Sequence, residues 1–390
     1  MIINERKAAL RFIVCFGLVS LFADMTYEGA YSGIGPFLTD LGVGAAAVGF
    51  ISGLGEMVAA SLRYFSGRFA DRTRAYWTLV IVGYVLNLLA IPGLAFVKSW
   101  KAAAVLIVLE RTGKAIRGPA RDVLLSEATG IVGHGTGFGI HAAMDQTGAV
   151  LGPLMVAWIV SRTGQFGPAF LDLSVPAALA LAAILLARHF RPNQGKPPAP
   201  KPSKPLTNLF WMYVLASGLL AIGFLDFTLL GFHFQRVHLF EPQMIPYLYA
   251  GGMAVVGITA LVCGRLFDRY GIVVLAVGVL VTMLALPLGF LGGQVAGILA
   301  VACWAAGHGV QDATLRSGIA QVVSMNKRGS AFGAFNGVFG VMWFFGSVVM
   351  GLLYDRSLVA LVAFGLVFQM IAAGLFIWLR RPLAQAAAAA

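Results

Sequence analysis

Long apolar runs fill most of the chain, each closed by a short polar stretch. They lie near 11–38, 45–66, 75–97, 102–122, 136–160 and 168–188, and again near 208–234, 245–267, 272–292, 294–315, 330–353 and 357–379. Each is close to the ~20 residues that a helix needs to cross the hydrocarbon core of a bilayer. The pattern therefore predicts an all-α integral membrane protein of twelve transmembrane helices. Between the sixth and seventh runs lies Arg191-Pro-Asn-Gln-Gly-Lys-Pro-Pro-Ala-Pro-Lys-Pro-Ser-Lys-Pro205. Proline at this density cannot continue a helix and predicts a semi-extended linker. The expected organisation is a six-helix bundle over 1–191, a linker over 192–207 and a second six-helix bundle over 208–390. The first run shows no small-residue cleavage site, so it reads as a first span and not as a leader.

Composition narrows the class. Hydrophobic residues make up 59% and charged residues 11%, with a mean hydropathy of +0.85. A soluble domain carries about 25% charged residues, so a soluble or disordered chain is excluded. The formal net charge is +12, which in a soluble protein would point to nucleic acid. Here the 28 Lys and Arg are not scattered. All but Lys98, Lys101, Arg162, Arg236 and Arg356 fall toward one side of the membrane, at span ends or loops apart from a few such as Arg111 that lie deep in a span. Basic loops stay in the cytoplasm against anionic headgroups. Both termini and the linker are therefore expected there, in a multi-pass protein of the cell (inner) membrane that meets lipids and not nucleic acid. Cys15, Cys263 and Cys303 lie in apolar runs with neither metal-like spacing nor an even count, so no disulfide framework is expected.

The chain also repeats itself. Gly67-Arg-Phe-Ala-Asp71-Arg72 returns as Gly264-Arg-Leu-Phe-Asp268-Arg269, and Asp24-Met-Thr26 as Asp226-Phe-Thr228. Gly137-Phe-Gly139 returns as Ala331-Phe-Gly333, and Arg162-Thr163 as Arg356-Ser357. Both halves start in the cytoplasm, so the repeat is parallel and the two bundles are pseudo-symmetric. That architecture places a solute site near the midplane, between the halves.

Charged groups inside spans are costly and mark pathways. Span 1 carries Asp24 and Glu28 one turn apart, with Tyr27 and Tyr31 beside them. Glu56 is in span 2. Asp145 is in span 5, with His141 one turn earlier. Asp226 is in span 7, with His233 two turns on. His308, Asp312 and Arg316 form a row on span 10. On span 4, Glu110, Lys114, Arg117 and Arg121 share one helix face. Arg117 and Arg121 read as interfacial side chains reaching headgroups, whereas Glu110 and Arg111 lie deeper. Burial penalises a charged carboxyl, so such groups can take up and release protons near neutral pH. No P-loop, zincin pair or Gly-x-Ser-x-Gly is present, and an enzyme is not expected.

The stretch Gly67-Arg68-Phe69-Ala70-Asp71-Arg72-Thr73-Arg74 between spans 2 and 3 resembles the Gly-x-Leu-Ala-Asp-Arg-x-Gly-Arg-Arg loop of the major facilitator superfamily. The resemblance implies that Gly67, Asp71, Arg72 and Arg74, with Asp268 in the repeat, form a conformational latch. In that family the loop's aspartate caps a neighbouring helix and holds the outward-facing state. Gly139, Gly148, Gly152 and Pro153 resemble the fifth-helix packing motif of the superfamily's proton antiporters, with Val156 and Ala157 in place of its last two glycines. Arg111 resembles the family's fourth-helix arginine, implicated in proton coupling. The implied protein is a secondary transporter, a monomer whose export of a small solute, drug or metabolite is coupled to and driven by a proton gradient, without a cofactor. Asp24, Glu28, Glu110, Arg111 and Asp145 are then the proton-coupling set. Tyr27, Tyr31, Glu56, His141, Asp226, His233, His308 and Asp312 are the cavity set. Two alternatives stay open. A divalent metal exporter would use Asp24, Glu28, His141, Asp145, Asp226 and His233 as ligands, although no metal site is assigned. An organic-anion importer would use Lys114 and Arg111.

Overall fold

The computed structural model describes residues 2–190, 207–323 and 328–388. Of the expected linker only Thr207 falls inside this set. The described residues are helical throughout, with no strand. The first half contains α1 (Ile2–Asp40), α2 (Ala45–Thr73), α3 (Tyr76–Gly93) with a 3-10 turn at Leu94–Phe96, α4 (Trp100–Val132), α5 (His134–Thr163), α6 (Phe166–Asp172) and α7 (Ser174–His189). The second half contains α8 (Asn208–Gly223), α9 (Phe227–Arg236), α10 (Met244–Tyr270), α11 (Val273–Met283), α12 (Ala285–Leu291), α13 (Gln294–Val322), α14 (Arg328–Tyr354) and α15 (Leu358–Ala388).

These correspond to the twelve expected spans, three of them interrupted: α6 with α7, α8 with α9, and α11 with α12. Ten segments among the described residues are long and apolar enough to cross a membrane. Helices α4 and α13 have the length, at 33 and 29 residues, but carry charged and polar side chains. Helix α5 ends at Gly164, whose φ of +69° stops the helix in the left-handed region.

The described chain forms two compact units. One comprises Met1–Phe37, Leu62–Pro198 and Glu241–Ala250; the other comprises Leu38–Ser61, Ala199–Phe240 and Gly251–Ala390. The units thus do not follow the sequence halves strictly. The end of α1 and the start of α2 go with the second unit, and the start of α10 goes with the first.

Close helix crossings organise each unit. In the first, a Cβ at Gly148 would overlap the Leu21 carbonyl, and one at Gly152 would overlap the Met25 carbonyl. Helices α1 and α5 therefore touch backbone to backbone, as small residues allow in membranes. In the second unit, a Cβ at Gly346 would overlap the Ile222 carbonyl, and one at Gly218 would lie 3.1 Å from Met342 Cγ. Ile222 and Gly346 repeat Met25 and Gly152, and Gly218 and Met342 repeat Leu21 and Gly148. At the second crossing the glycine has changed helix while the level of contact is kept. The packing also corrects one sequence match. Ile222 occupies the level of Met25, so Asp226 lies five residues further along its span than Asp24 does.

The break between α8 and α9 is bridged by polar side chains. Gln369 Nε2 donates to the Gly223 carbonyl at 2.6 Å, and Trp304 Nε1 donates to the Leu225 carbonyl at 3.0 Å. Asp226 caps α9 by accepting from the Thr228 amide at 2.7 Å. Backbone groups freed inside a membrane need such partners.

Candidate functional site

The first unit gathers charge on α1, α4 and α5, with neutral partners from α3. The α1–α5 crossing presses the Asp24 level of α1 against Gly148, whose Cβ would lie 3.0 Å from Asp24 Cβ. Asp24 is buried and accepts from the Tyr27 hydroxyl. It feels the charges of Asp145, Glu28, Lys114 and Arg117. Glu28, one turn on and half-buried, divides its carboxylate between two partners. Oε1 lies 3.6 Å from Lys114 Nζ, and Oε2 accepts from the Tyr249 hydroxyl at 2.6 Å. Lys114 also sits 4.0 Å from the Tyr27 ring centroid.

Glu110 is buried. Its Oε1 accepts from Asn87 Nδ2 at 2.7 Å, and its Oε2 lies 3.3 Å from Arg111 Nε. The Arg111 guanidinium lies 5.0 Å from the Tyr31 centroid, and the Tyr31 and Tyr249 rings are 5.7 Å apart. On α5, His141 is buried and shares a 2.8 Å hydrogen bond with Ser20. Asp145 is half-buried, and its Oδ1 makes no hydrogen bond among the described residues.

Arg117 departs from expectation. It is 2% exposed, not interfacial. Its guanidinium lies 4.2 Å from the Tyr84 centroid and 5.5 Å from that of Tyr27. The cause is the tight α3–α4 contact. A Cβ at Gly83 would lie 2.8 Å from the Arg117 nitrogen, and one at Gly113 would collide with the Asn87 amide. The helices approach so closely that the side chain is trapped between aromatic faces. Arg121 is closer to expectation, half-exposed and paired at 3.0 Å with its neighbour Asp122.

The remaining residues of the cavity set lie in the second unit. Asp226 is buried and accepts from Ser52 Oγ at 2.5 Å in addition to capping α9. His233 is buried, with Nδ1 2.8 Å from the Tyr354 hydroxyl. His308 Nε2 lies 3.6 Å from Asp312 Oδ2, and its ring packs between Phe224 and Trp304. The Arg316 side chain, third in that row, lies outside the described residues. Glu56 is half-buried on α2. The six proposed metal ligands are thus divided, with Asp24, Glu28, His141 and Asp145 in one unit and Asp226 and His233 in the other. Among the described residues, no three His, Cys, Asp or Glu side chains come close enough to hold a metal ion.

The stretch from Gly67 to Thr73 is helical, continuing α2, where a loop was expected. The turn shrinks to Arg74, with φ +54°, and Ala75. Helix α3 begins without a side-chain cap, so Asp71 does not cap it. Asp71, Arg72, Arg74 and Asp268 are all exposed. The glycine motif on α5 splits in two. Gly148 and Gly152, followed by Pro153, are buried against α1, whereas Gly139 is exposed with open space around it.

Sequence reasoning missed Tyr249, Asn87, Tyr84, Ser20 and Ser52. All are uncharged, and no local spacing connects them to the acids, the arginine and the histidine they contact. Arg117 stood in the span 4 charge stripe and was legible as a charge but not as a buried one.

A family model described as the Major Facilitator Superfamily matches residues 16–347. An uncharacterized protein of Mycobacterium tuberculosis is 38% identical over 386 residues, covering 96% of this chain and 94% of that protein. A class D tetracycline resistance protein of Salmonella ordonez is 31% identical over 152 residues, 38% of each chain. Among solved structures, the nucleoside transporter NupG superposes with a TM-score of 0.66 at 16% identity, covering 96% of this chain and 98% of that one.

Proposed function

The chain belongs to the Major Facilitator Superfamily, and from that premise we propose that this multi-pass membrane transporter exports a small organic solute, a drug or metabolite, in exchange for protons. The observation that carries the reading is the ion cluster on α1, α4 and α5. It combines acids that already have cationic partners, Glu28 and Glu110, with Asp24, whose hydrogen bond comes from the neutral Tyr27, and Asp145. Carboxyls of this kind inside a lipid-solvated bundle have few roles other than proton or solute traffic.

The metal reading is disfavoured because the ligands it needs do not converge. The organic-anion reading is disfavoured because Lys114 and Arg111 already face carboxylates. Export over import draws support from the glycine spacing on α5 and from the partial likeness to a tetracycline resistance protein. In this reading the protein works as a monomer with both termini in the cytoplasm. Asp71 and Asp268, exposed here, find their basic partners in the outward-facing state.

The test is transport by the purified protein in liposomes with an imposed pH gradient, against a panel of organic cations, organic anions, neutral drugs and divalent metals. Gradient-dependent movement of an organic solute is expected. Movement of a divalent metal alone, or transport indifferent to the gradient, contradicts the reading.

A further inference from the structure

The break between α8 and α9 sets one aromatic ring among others in the second unit. Phe224 leaves the helix with extended backbone, φ −77° and ψ 130°. Its ring centroid lies 5.9 Å from that of His308 on α13 and 5.1 Å from that of Trp343 on α14. Trp304 is 5.5 Å from His308 and donates its Nε1 to the Leu225 carbonyl. Beside these rings runs a polar edge. The His308 and Asp312 side chains are 34% and 60% exposed and 3.6 Å apart. That separation exceeds the ~2.7–2.9 Å of a charge-assisted bond, so the carboxylate keeps accepting capacity. A carboxylate in a span faces water or protein and not lipid. Two N–H groups nearby have no acceptor. Trp343 Nε1 and Gln311 Nε2 are buried, with no hydrogen-bond partner among the described residues. Gln311, 6% exposed, follows His308 by three residues, which makes the two neighbours on the α13 surface. A buried donor left unpaired is costly, and an apolar side chain of the same shape avoids that cost.

We propose that Phe224, His308, Gln311, Asp312 and Trp343 form a recognition site for solutes of one class: a flat aromatic ring that carries both a hydrogen-bond acceptor and a cationic amine. The proposal deepens the reading of the protein as an exporter of an organic solute and rests on it. Interrupted transmembrane helices mark solute sites, and the interruption here is the one that carries Phe224. The solute ring packs against the Trp343 and His308 rings, offset or edge-on. Its amine meets the open Asp312 carboxylate and is drawn by the same ring faces. Its acceptor takes the N–H of Gln311 or Trp343, which makes good the missing partner. An anionic solute meets Asp312 and is repelled, and an aliphatic amine has no face to stack. His308 and Asp312 lie about 21 and 27 Å along α13 from its start at Gln294, in a hydrocarbon core of about 30 Å. With both termini in the cytoplasm, this is the cytoplasmic side of the span, from which an exporter loads.

The experiment is calorimetric titration of the detergent-purified protein, without a gradient, at about pH 7, where an aliphatic amine is protonated. Four probes separate the terms: an aminomethylquinoline, the aminomethylnaphthalene of the same shape, cyclohexylmethylamine and the matching quinoline carboxylate. The aminomethylquinoline should bind tightest. It should exceed the naphthalene by about fivefold, the worth of one hydrogen bond, and the other two by more. Gln311→Leu combined with Trp343→Phe keeps volume and ring but removes both donors. In that variant the quinoline and naphthalene amines should bind equally, while the melting temperature holds or rises because no paired group is lost. Asp312→Asn should narrow the gap between amine and carboxylate several-fold. A quinoline preference that is absent in the wild type, or that survives in the double variant, overturns the role of the two donors. An unchanged amine preference in Asp312→Asn, with a lowered melting temperature, shows a carboxylate that serves the fold and overturns its role. Binding of none of the probes, beside gradient-driven transport of another solute, overturns the site and leaves the export reading standing. Binding as expected, with liposome transport of the aminomethylquinoline indifferent to a pH gradient, supports the site and removes proton coupling instead.

Discussion

Replacing Gly148 by alanine places a methyl group inside the van der Waals shell of the Leu21 carbonyl and 3.0 Å from Asp24 Cβ. At Gly152 the same change meets Met25, with Cα at 2.7 Å and the carbonyl carbon at 2.8 Å. Carbon–oxygen contacts settle at about 3.3–3.6 Å, and neither obstacle is a flexible side chain that can turn away. Helices α1 and α5 must therefore part by about 1 Å at this level. Overpacking of this kind costs about 1–3 kcal/mol, of which alanine returns up to about 1 kcal/mol through its better helix propensity. Each substitution should thus destabilise by about 0–2 kcal/mol, and by about 1–3 kcal/mol relative to an alanine that meets no obstacle. Gly139→Ala is the control, since no atom lies within 4 Å of its Cβ; it should be neutral or slightly stabilising. Thermal unfolding of the detergent-purified proteins reads the difference. If Gly148→Ala and Gly152→Ala melt with Gly139→Ala, the backbone crossing that positions Asp24 does not exist as described.

Asp226→Ala removes both the α9 cap and the partner of Ser52, and should lower stability by about 1–2 kcal/mol, with Asp226→Asn milder; equal melting of the two would refute the capping role. Arg117→Gln should cost about 2 kcal/mol, because a desolvated cation between two aromatic faces is lost. Arg121→Gln, 22% exposed and paired with its neighbour Asp122, should cost under about 1 kcal/mol, and the order of the two melting temperatures checks the burial. Asp71→Asn should leave melting unchanged but shift the conformational population by about 1–3 kcal/mol; unchanged cysteine accessibility on both membrane faces would remove Asp71 from the latch.

The fold was legible because lipid leaves so little choice. A run of some 20 apolar residues in a bilayer must be a helix, so the spans could be read, but not the polar ends of the helices: α1 starts at Ile2 and not near 11, and α4 runs on to Val132 and not to 122. The breaks could not, because Phe224 and Leu225 are as apolar as their neighbours and only the remote Gln369 and Trp304 make an unwound backbone tolerable there. The α1–α5 crossing was half legible: the glycines announced a close approach, but only the opposing Leu21 and Met25 carbonyls separate Gly148 and Gly152 from the idle Gly139. The acids of the candidate site were visible because charge is rare inside spans. Their partners were not. Tyr249 reaches Glu28 across 221 residues of sequence and Asn87 reaches Glu110 across 23, and no periodicity links them.

The measurement that bears most directly on the coupling claim is pH-gradient-driven solute movement in liposomes carrying the Asp24→Asn, Glu28→Gln double variant, beside solute exchange at equal pH. The account predicts that gradient-driven movement is lost while exchange persists, because the variant can still bind solute but lacks the Asp24 and Glu28 carboxyls that carry the proton. Gradient-driven movement at the wild-type rate would contradict the account and remove α1 from the coupling path.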